Sequence, residues 1–219
     1  MLLVRKEIKN AWALAGIAAA PFYILLIIAL GALEPGYSHL TMPMSILGGV
    51  PDPRGLIFNL GVLITGAFVI AFGIGLRSRL PLKWSARIGC GLLALGGLGL
   101  ISAGIFPCRE GCRNILIEPD LAGRIHMIAA FVSGMGTGLA PLFLWAAMRG
   151  EKKWKDCAVP TMLAAAFSNL PGIAFWLMRL TEFRVPSLEG LIQRMGFVVV
   201  LIWMFYISLK SPRSPPSPV

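Results

Sequence analysis

Leu56–Leu76 reads LIFNLGVLITGAFVIAFGIGL, twenty-one residues without a charge. At 1.5 Å of rise per residue a helix of that length covers the roughly 30 Å hydrocarbon core of a bilayer. Five further runs of the same kind lie on either side of it: Ala11–Leu33, Ala86–Phe106, Ile125–Met148, Ala158–Met178 and Leu191–Leu209. The 219 residues are 57% hydrophobic and 14% charged, against about 25% charged in soluble domains, and the apolar residues come in blocks rather than as one face of an amphipathic period. The fold class is therefore all-α: a polytopic membrane bundle of six transmembrane helices forming one domain, residues 1–210. The remaining Ser211–Val219, SPRSPPSPV, has the composition of a disordered tail.

The net charge of +10 does not make a nucleic-acid protein, because the basic residues fall in short clusters between apolar runs and no basic domain exists to grip a phosphate backbone. Those clusters set topology instead. Arg5, Lys6, Lys9, Arg77, Arg79, Lys83, Arg87, Arg149, Lys152, Lys153, Lys155, Lys210 and Arg213 fall on one side, and only Arg54, Arg109, Arg113, Arg124, Arg179, Arg184 and Arg194 on the other. Both termini are expected in the cytoplasm, with the protein in the plasma membrane. Ala18–Ala20 could pass for a signal-peptidase site, but the apolar run continues to Leu33, which is the pattern of a retained helix. Seven of the ten acids, Glu34, Asp52, Glu110, Glu118, Asp120, Glu182 and Glu189, share the outer side with the seven arginines, so polar chemistry is expected there.

Between the first two spans lies Gly36–Gly49, GYSHLTMPMSILGG, too short to cross a bilayer. Pro43 suits the first turn of a helix and Gly48-Gly49 suits a left-handed stop, so the stretch is expected to form a short half-helix at one membrane face. Irregular backbone at membrane depth survives only over protein or a watery cavity. A segment carrying Tyr37, Ser38, His39, Thr41 and Ser45 is thus expected to cover a pocket, or else to plug the helix ends as an amphipathic loop.

Seven-residue stripes mark the packing faces. In the second run they are Asn59, Gly66 and Gly73; in the third, the adjacent pairs Gly89-Cys90, Gly96-Gly97 and Ala103-Gly104. Strict heptads of small residues imply close left-handed packing. His126 shares a four-residue spacing with Ala130, Gly134 and Gly138, which points its imidazole into the bundle, where an ionisable group is a functional candidate. Asn59 has two readings, glue between helices or a site residue. Pro171, beside Ser168 and Asn169, should bend the fifth helix with local polar repair. Arg194, one turn inside the sixth, must snorkel or pair with Glu118, Asp120, Glu182 or Glu189. Cys108 and Cys112 have the spacing of a small disulfide on an oxidising face or of half a metal site; Cys90 and Cys157 should stay reduced.

Asn59, His126, Gln193 and Arg194 come from three helices yet all fall within about one turn of the outer surface. The series PGYSHLTMPMSILGG, FNLGVLITGAFVIAFGIGL, GIFP, RIHMIAAF and GLIQR resembles the prokaryotic membrane proteins grouped as domain of unknown function 998. The order and spacing of these short motifs over nearly the whole chain carry the resemblance. It implies six helices and matches Ser45, Asn59, His126 and Arg194 to the family's characteristic polar positions. Cys108 departs from it, standing where an acidic residue commonly follows the FP pair. The resemblance implies no activity.

These residues support an outward-facing polar pocket of Tyr37, His39, Ser45, Asn59, His126, Gln193 and Arg194 that holds a lipid head group or small amphiphile, with Arg194 as anion partner. Membrane lipid is the expected partner, no nucleic acid is, and a protein partner stays open. The alternative is an intramembrane hydrolase or transferase with His126 as base and Ser45 or Ser38 as nucleophile, although neither an HExxH nor a GxSxG motif is present. Transport and a structural assembly role are further alternatives. With two histidines in all, no cofactor and no metal site is expected.

Overall fold

The computed structural model describes residues 2–108, 120–181 and 187–211. Six helices make the molecule: α1 (Leu2–Leu33), α2 (Pro53–Arg77), α3 (Trp84–Ile105), α4 (Leu121–Met148), α5 (Lys155–Leu180) and α6 (Glu189–Lys210). All six are long and apolar enough to cross a membrane, and there is no strand among the described residues. Their edges pass the apolar runs by up to nine residues in α1, because a helix once nucleated continues into the interfacial region until a cap or a breaker stops it. Asp52 provides such a cap, accepting the Arg54 N–H at 2.7 Å ahead of Pro53 at the first position of α2.

Each helix runs antiparallel to the one before it and packs beside it, and α6 returns to α1, so the bundle is a closed ring. The seven-residue stripes explain how α3 joins its neighbours. Asn59, Gly66 and Gly73 of α2 meet Gly104, Gly97 and Cys90 of α3 in order, and a Cβ on Gly97 would fall 2.7 Å from the Gly66 carbonyl oxygen. The other member of each α3 pair faces α4: Gly89 meets Leu144, Gly96 meets Thr137 and Ser133, and the Ala103 carbonyl meets His126. Small residues come in adjacent pairs because α3 is pressed between two helices and needs a smooth face for each. Without a hydrophobic drive between helices in lipid, such close backbone approach is the main source of association.

The ring is filled at one end and not at the other. Towards the chain termini Trp12, Phe72, Trp203, Leu144, Met148 and Met204 pack the centre, each 4% exposed or less. Towards the opposite end the inward positions are Ala130, Ser133, Gly134, Ser168, Gly172 and Gly196, and the centre is left open. The outward positions, among them Leu25, Ile74, Leu98, Leu170 and Ile173, are exposed, as a lipid-facing surface should be. At the filled end Gly150, at φ 83°, makes the tight turn from α4, and Lys83 meets Glu151 at 2.7 Å.

Two local expectations are corrected. Within Gly36–Gly49 the helical turn or two expected over Pro43–Leu47 takes the form of a six-residue 3-10 turn, Met44–Gly49, preceded by Pro43 in extended conformation. Neither Gly48 nor Gly49 is left-handed, since among the described residues only Gly36 and Gly150 have positive φ. Gly48 is needed for space instead: a Cβ there would run into the Asn59 side chain. Helix α5 runs unbroken through Pro160 and Pro171; the Asp156 carbonyl that Pro160 leaves without its helical partner accepts the Tyr206 hydroxyl at 3.1 Å, and Asn169 donates to the carbonyls of Ala165 and Gly138 at 2.7 Å each.

Candidate functional site

The open end of the ring holds a cavity of about 130 Å³, lined by residues of all six helices and of the 3-10 turn. A single water needs about 10–15 Å³ of such space, so the chamber has room for a molecule. Its depth follows from the helix rise: His126 and Thr137 both line it, eleven residues apart and therefore about 16 Å along α4. The walls are mostly apolar and aromatic, with Tyr23, Phe58, Phe175, Trp176 and Phe197 among them. Deep hydroxyls are occupied with their own helices, Thr137 donating to the Ser133 carbonyl at 2.8 Å and Ser168 towards Ala165 at 3.4 Å. Among the described residues no acidic or basic side chain other than His126 lines the chamber.

His126 is fixed by α3. Its Nδ1 lies 3.0 Å from the Ala103 carbonyl oxygen and 2.9 Å from that of Phe106. Carbonyl oxygens only accept, so Nδ1 carries the proton. With His126 8% exposed and no carboxylate lining the chamber among the described residues, a second proton would place an uncompensated charge in an apolar setting. The ring is therefore neutral, and Nε2 presents a lone pair. The bonds that hold α3 to α4 thus also choose the tautomer.

Over the chamber lies the segment from Tyr37 to Val50, fastened from three helices; from α1, the Tyr23 hydroxyl donates to Met44 Sδ at 3.6 Å. From α2, the Asn59 amide donates to the Gly48 carbonyl at 2.9 Å. From α6, the Gln193 Oε1 accepts the Met44 N–H at 2.6 Å, Arg194 Nη1 donates to the Met42 carbonyl at 2.9 Å, and the Leu191 N–H donates to the Leu40 carbonyl at 2.9 Å. Arg194 also donates to Gly190 of its own helix at 2.8 Å and to the Tyr37 hydroxyl, with its guanidinium 5.6 Å from the Tyr37 ring centre. Tyr37 in turn stacks edge-on with His39, whose ring sits against Gly31. Desolvation, opposed by the Arg194 charge, raises the Tyr37 phenol; desolvation and then Arg194 lower the His39 imidazole.

The residues expected to form one site therefore fall into two groups. Ser45, Asn59, His126 and Gln193 line the chamber, while Tyr37, His39 and Arg194 do not and belong to the fastening above it. Arg194 reaches the lid because a helical side chain leans towards the N-terminus of its helix. Of the four carboxylates expected as its partner, Glu189 is instead 3.0 Å from Arg179 across the α5–α6 junction, Asp120 makes no ion pair with it, and Glu118 and Glu182 lie outside the described residues. Ser45 and His126 share the chamber, and among the described residues no hydrogen bond joins them. The Ser38 hydroxyl accepts the Thr41 N–H at 3.4 Å, away from the chamber. Cys108 is buried; its expected disulfide partner Cys112 lies outside the described residues. Among the described residues no three metal-ligating side chains cluster.

Sequence reasoning missed the walls. Tyr23, Ser133, Thr137, Gly172, Phe175 and Trp176 line the chamber without forming any motif, although Ser133 and Thr137 continue the inward face of α4 four residues apart.

Fold and chamber together define a polytopic membrane protein built as a six-helix ring with a covered chamber at one end. A family model described as protein of unknown function DUF998 matches residues 17–210, and the chain belongs to that family. No curated protein and no solved structure matches it.

Proposed function

We propose that this protein holds a small amphiphile or a membrane lipid in the chamber, the polar part under the lid and the apolar part among the aromatic walls. The observation that carries this reading is an apolar-walled space of about 130 Å³ reached by all six helices, with its polar side chains Ser45, Asn59, His126 and Gln193 near one end. Binding sites are commonly concave and mostly apolar with a few placed polar groups. Arg194 enters the reading as the lid's fastener rather than as an anion partner, because its bonds go to lid atoms. The excess of Lys and Arg on the terminal side supports a plasma-membrane protein with both termini cytoplasmic, so that the chamber opens outwards.

Hydrolysis or group transfer remains a second reading because Ser45 and His126 share the chamber. A lid movement would have to bring hydroxyl and imidazole within about 3 Å.

Gly172 supplies the test. A Cβ on this chamber-lining glycine meets nothing within 4 Å, so a side chain there starts in open space and Gly172→Leu is the variant chosen to fill the chamber. Native mass spectrometry of gently purified protein should find one lipid class retained by the wild type and lost from Gly172→Leu. Equal retention by both would remove the chamber as the binding site.

A further inference from the structure

Resting on that reading, we propose that the chamber selects an uncharged ligand whose head donates a hydrogen bond, an alcohol before an acid or an amine, and that His126 Nε2 is the acceptor. Two carbonyls on α3 hold the imidazole by its Nδ1 proton. The ring cannot turn its donor towards the ligand without breaking both contacts, so it offers only a lone pair. A carboxylate or phosphate, which can only accept, would bring lone pairs against that lone pair.

The rest of the chamber points the same way. Among the described residues a ligand ammonium would find no carboxylate in the lining, and a ligand carboxylate no lysine or arginine. In apolar surroundings either charge carries a heavy desolvation penalty. The nearest cation on α6, Arg194, directs Nη1 and Nη2 to Met42, Gly190 and Tyr37, away from the chamber. The amide beside it complements a hydroxyl. Gln193 Oε1 is taken by the Met44 N–H, which leaves the Gln193 NH₂ as a donor at the same end of the chamber as His126. A hydroxyl can give its proton to His126 and accept from Gln193; a carboxylate can do only the second and an ammonium only the first.

The experiment compares 1-decanol, decanoate, decylammonium and decane on the full chain in lipid nanodiscs, with Gly172→Leu as the filled-chamber control. Binding is read from indole fluorescence, with Trp176→Phe to assign the signal. In parallel, ¹⁵N-histidine labelling follows the two imidazoles, His39 and His126. We expect decanol to saturate the wild type and not Gly172→Leu, with affinity about tenfold or more above either charged probe. It should shift the unprotonated Nε2 resonance of His126 and leave His39 unmoved, and in His126→Phe its advantage over decane should vanish. A charged probe binding as well as decanol, or saturation without movement of Nε2, would overturn the assignment of an uncharged donor and leave the chamber reading intact. If no probe saturates, or Gly172→Leu binds like wild type, the chamber reading falls and this inference with it.

Discussion

A glycine in this molecule is judged by what lies above its missing side chain. A Cβ on Gly66 would sit 2.6 Å from the Gly97 carbonyl oxygen, a backbone atom that cannot swing aside, whereas a Cβ on Gly91, exposed on the same bundle, meets nothing within 4 Å. Overpacking of a tight contact costs about 1–3 kcal/mol. Gly66→Ala should therefore lower the thermal midpoint in detergent by several degrees, while Gly91→Ala leaves it unchanged or slightly higher through helix propensity. Equal midpoints for the two would mean that the stripes are not what holds α2 to α3. The stripes themselves were legible in the sequence, since a seven-residue spacing of small residues has one physical use in a membrane helix. The division of each α3 pair between two neighbours was not, because spacing alone does not say how many partners a helix has.

At the scale of the element, the lid segment is held by side chains of α1, α2 and α6, and its own backbone supplies most of the acceptors. Arg194→Ala removes the bonds to Met42 and Tyr37 together. Amide exchange should then rise across residues 38–47 and stay low in the helix interiors; unchanged exchange there would show that Asn59 and Gln193 suffice as fasteners. The same segment should respond to pH. Desolvation and the Arg194 charge lower His39 from its ordinary value of 6.5, so the released lid takes up the proton first. Closure is accordingly favoured above about pH 6.5 and weakens as pH falls below it towards the lowered value. Lid exchange measured between pH 7.5 and 5 should rise on acidification in wild type and stay flat in His39→Gln. The sequence signalled a cover at Gly36–Gly49 through its length and polar content. It did not reveal whether Arg194 served the cover or the chamber, because that depends on which way one long side chain leans.

The whole molecule is a ring, and an even number of antiparallel helices puts α1's start and α6's end together; Gly16 of α1 lies against Ser208 of α6. Reporter domains fused to either terminus should therefore report the same side of the membrane, the cytoplasmic one if the distribution of Lys and Arg is obeyed. Opposite sides would break the six-span topology. Six spans could be counted from composition, but ring closure and the hollow end could not. Both follow from where bulky and small residues fall along each inner face, Trp203 and Phe72 low, Gly196 and Gly172 high, and that pattern becomes visible only once the faces are known.

The fastening of the lid also fixes an order of events during synthesis. Leu40, Met42 and Met44 belong to the first quarter of the chain, and their partners Leu191, Arg194 and Gln193 to the last. With about 150 residues between them and elongation at about 5–20 residues per second, roughly 8–30 s separate the appearance of the two halves of the latch at the ribosome. During that interval the lid is held, among the described residues, by the Asn59 amide of α2 and by α1, whose Tyr23 hydroxyl donates to Met44 Sδ at 3.6 Å. The chamber can be sealed only after the sixth helix has entered the membrane, so a nascent chain truncated before α6 is open to whatever the surrounding bilayer offers.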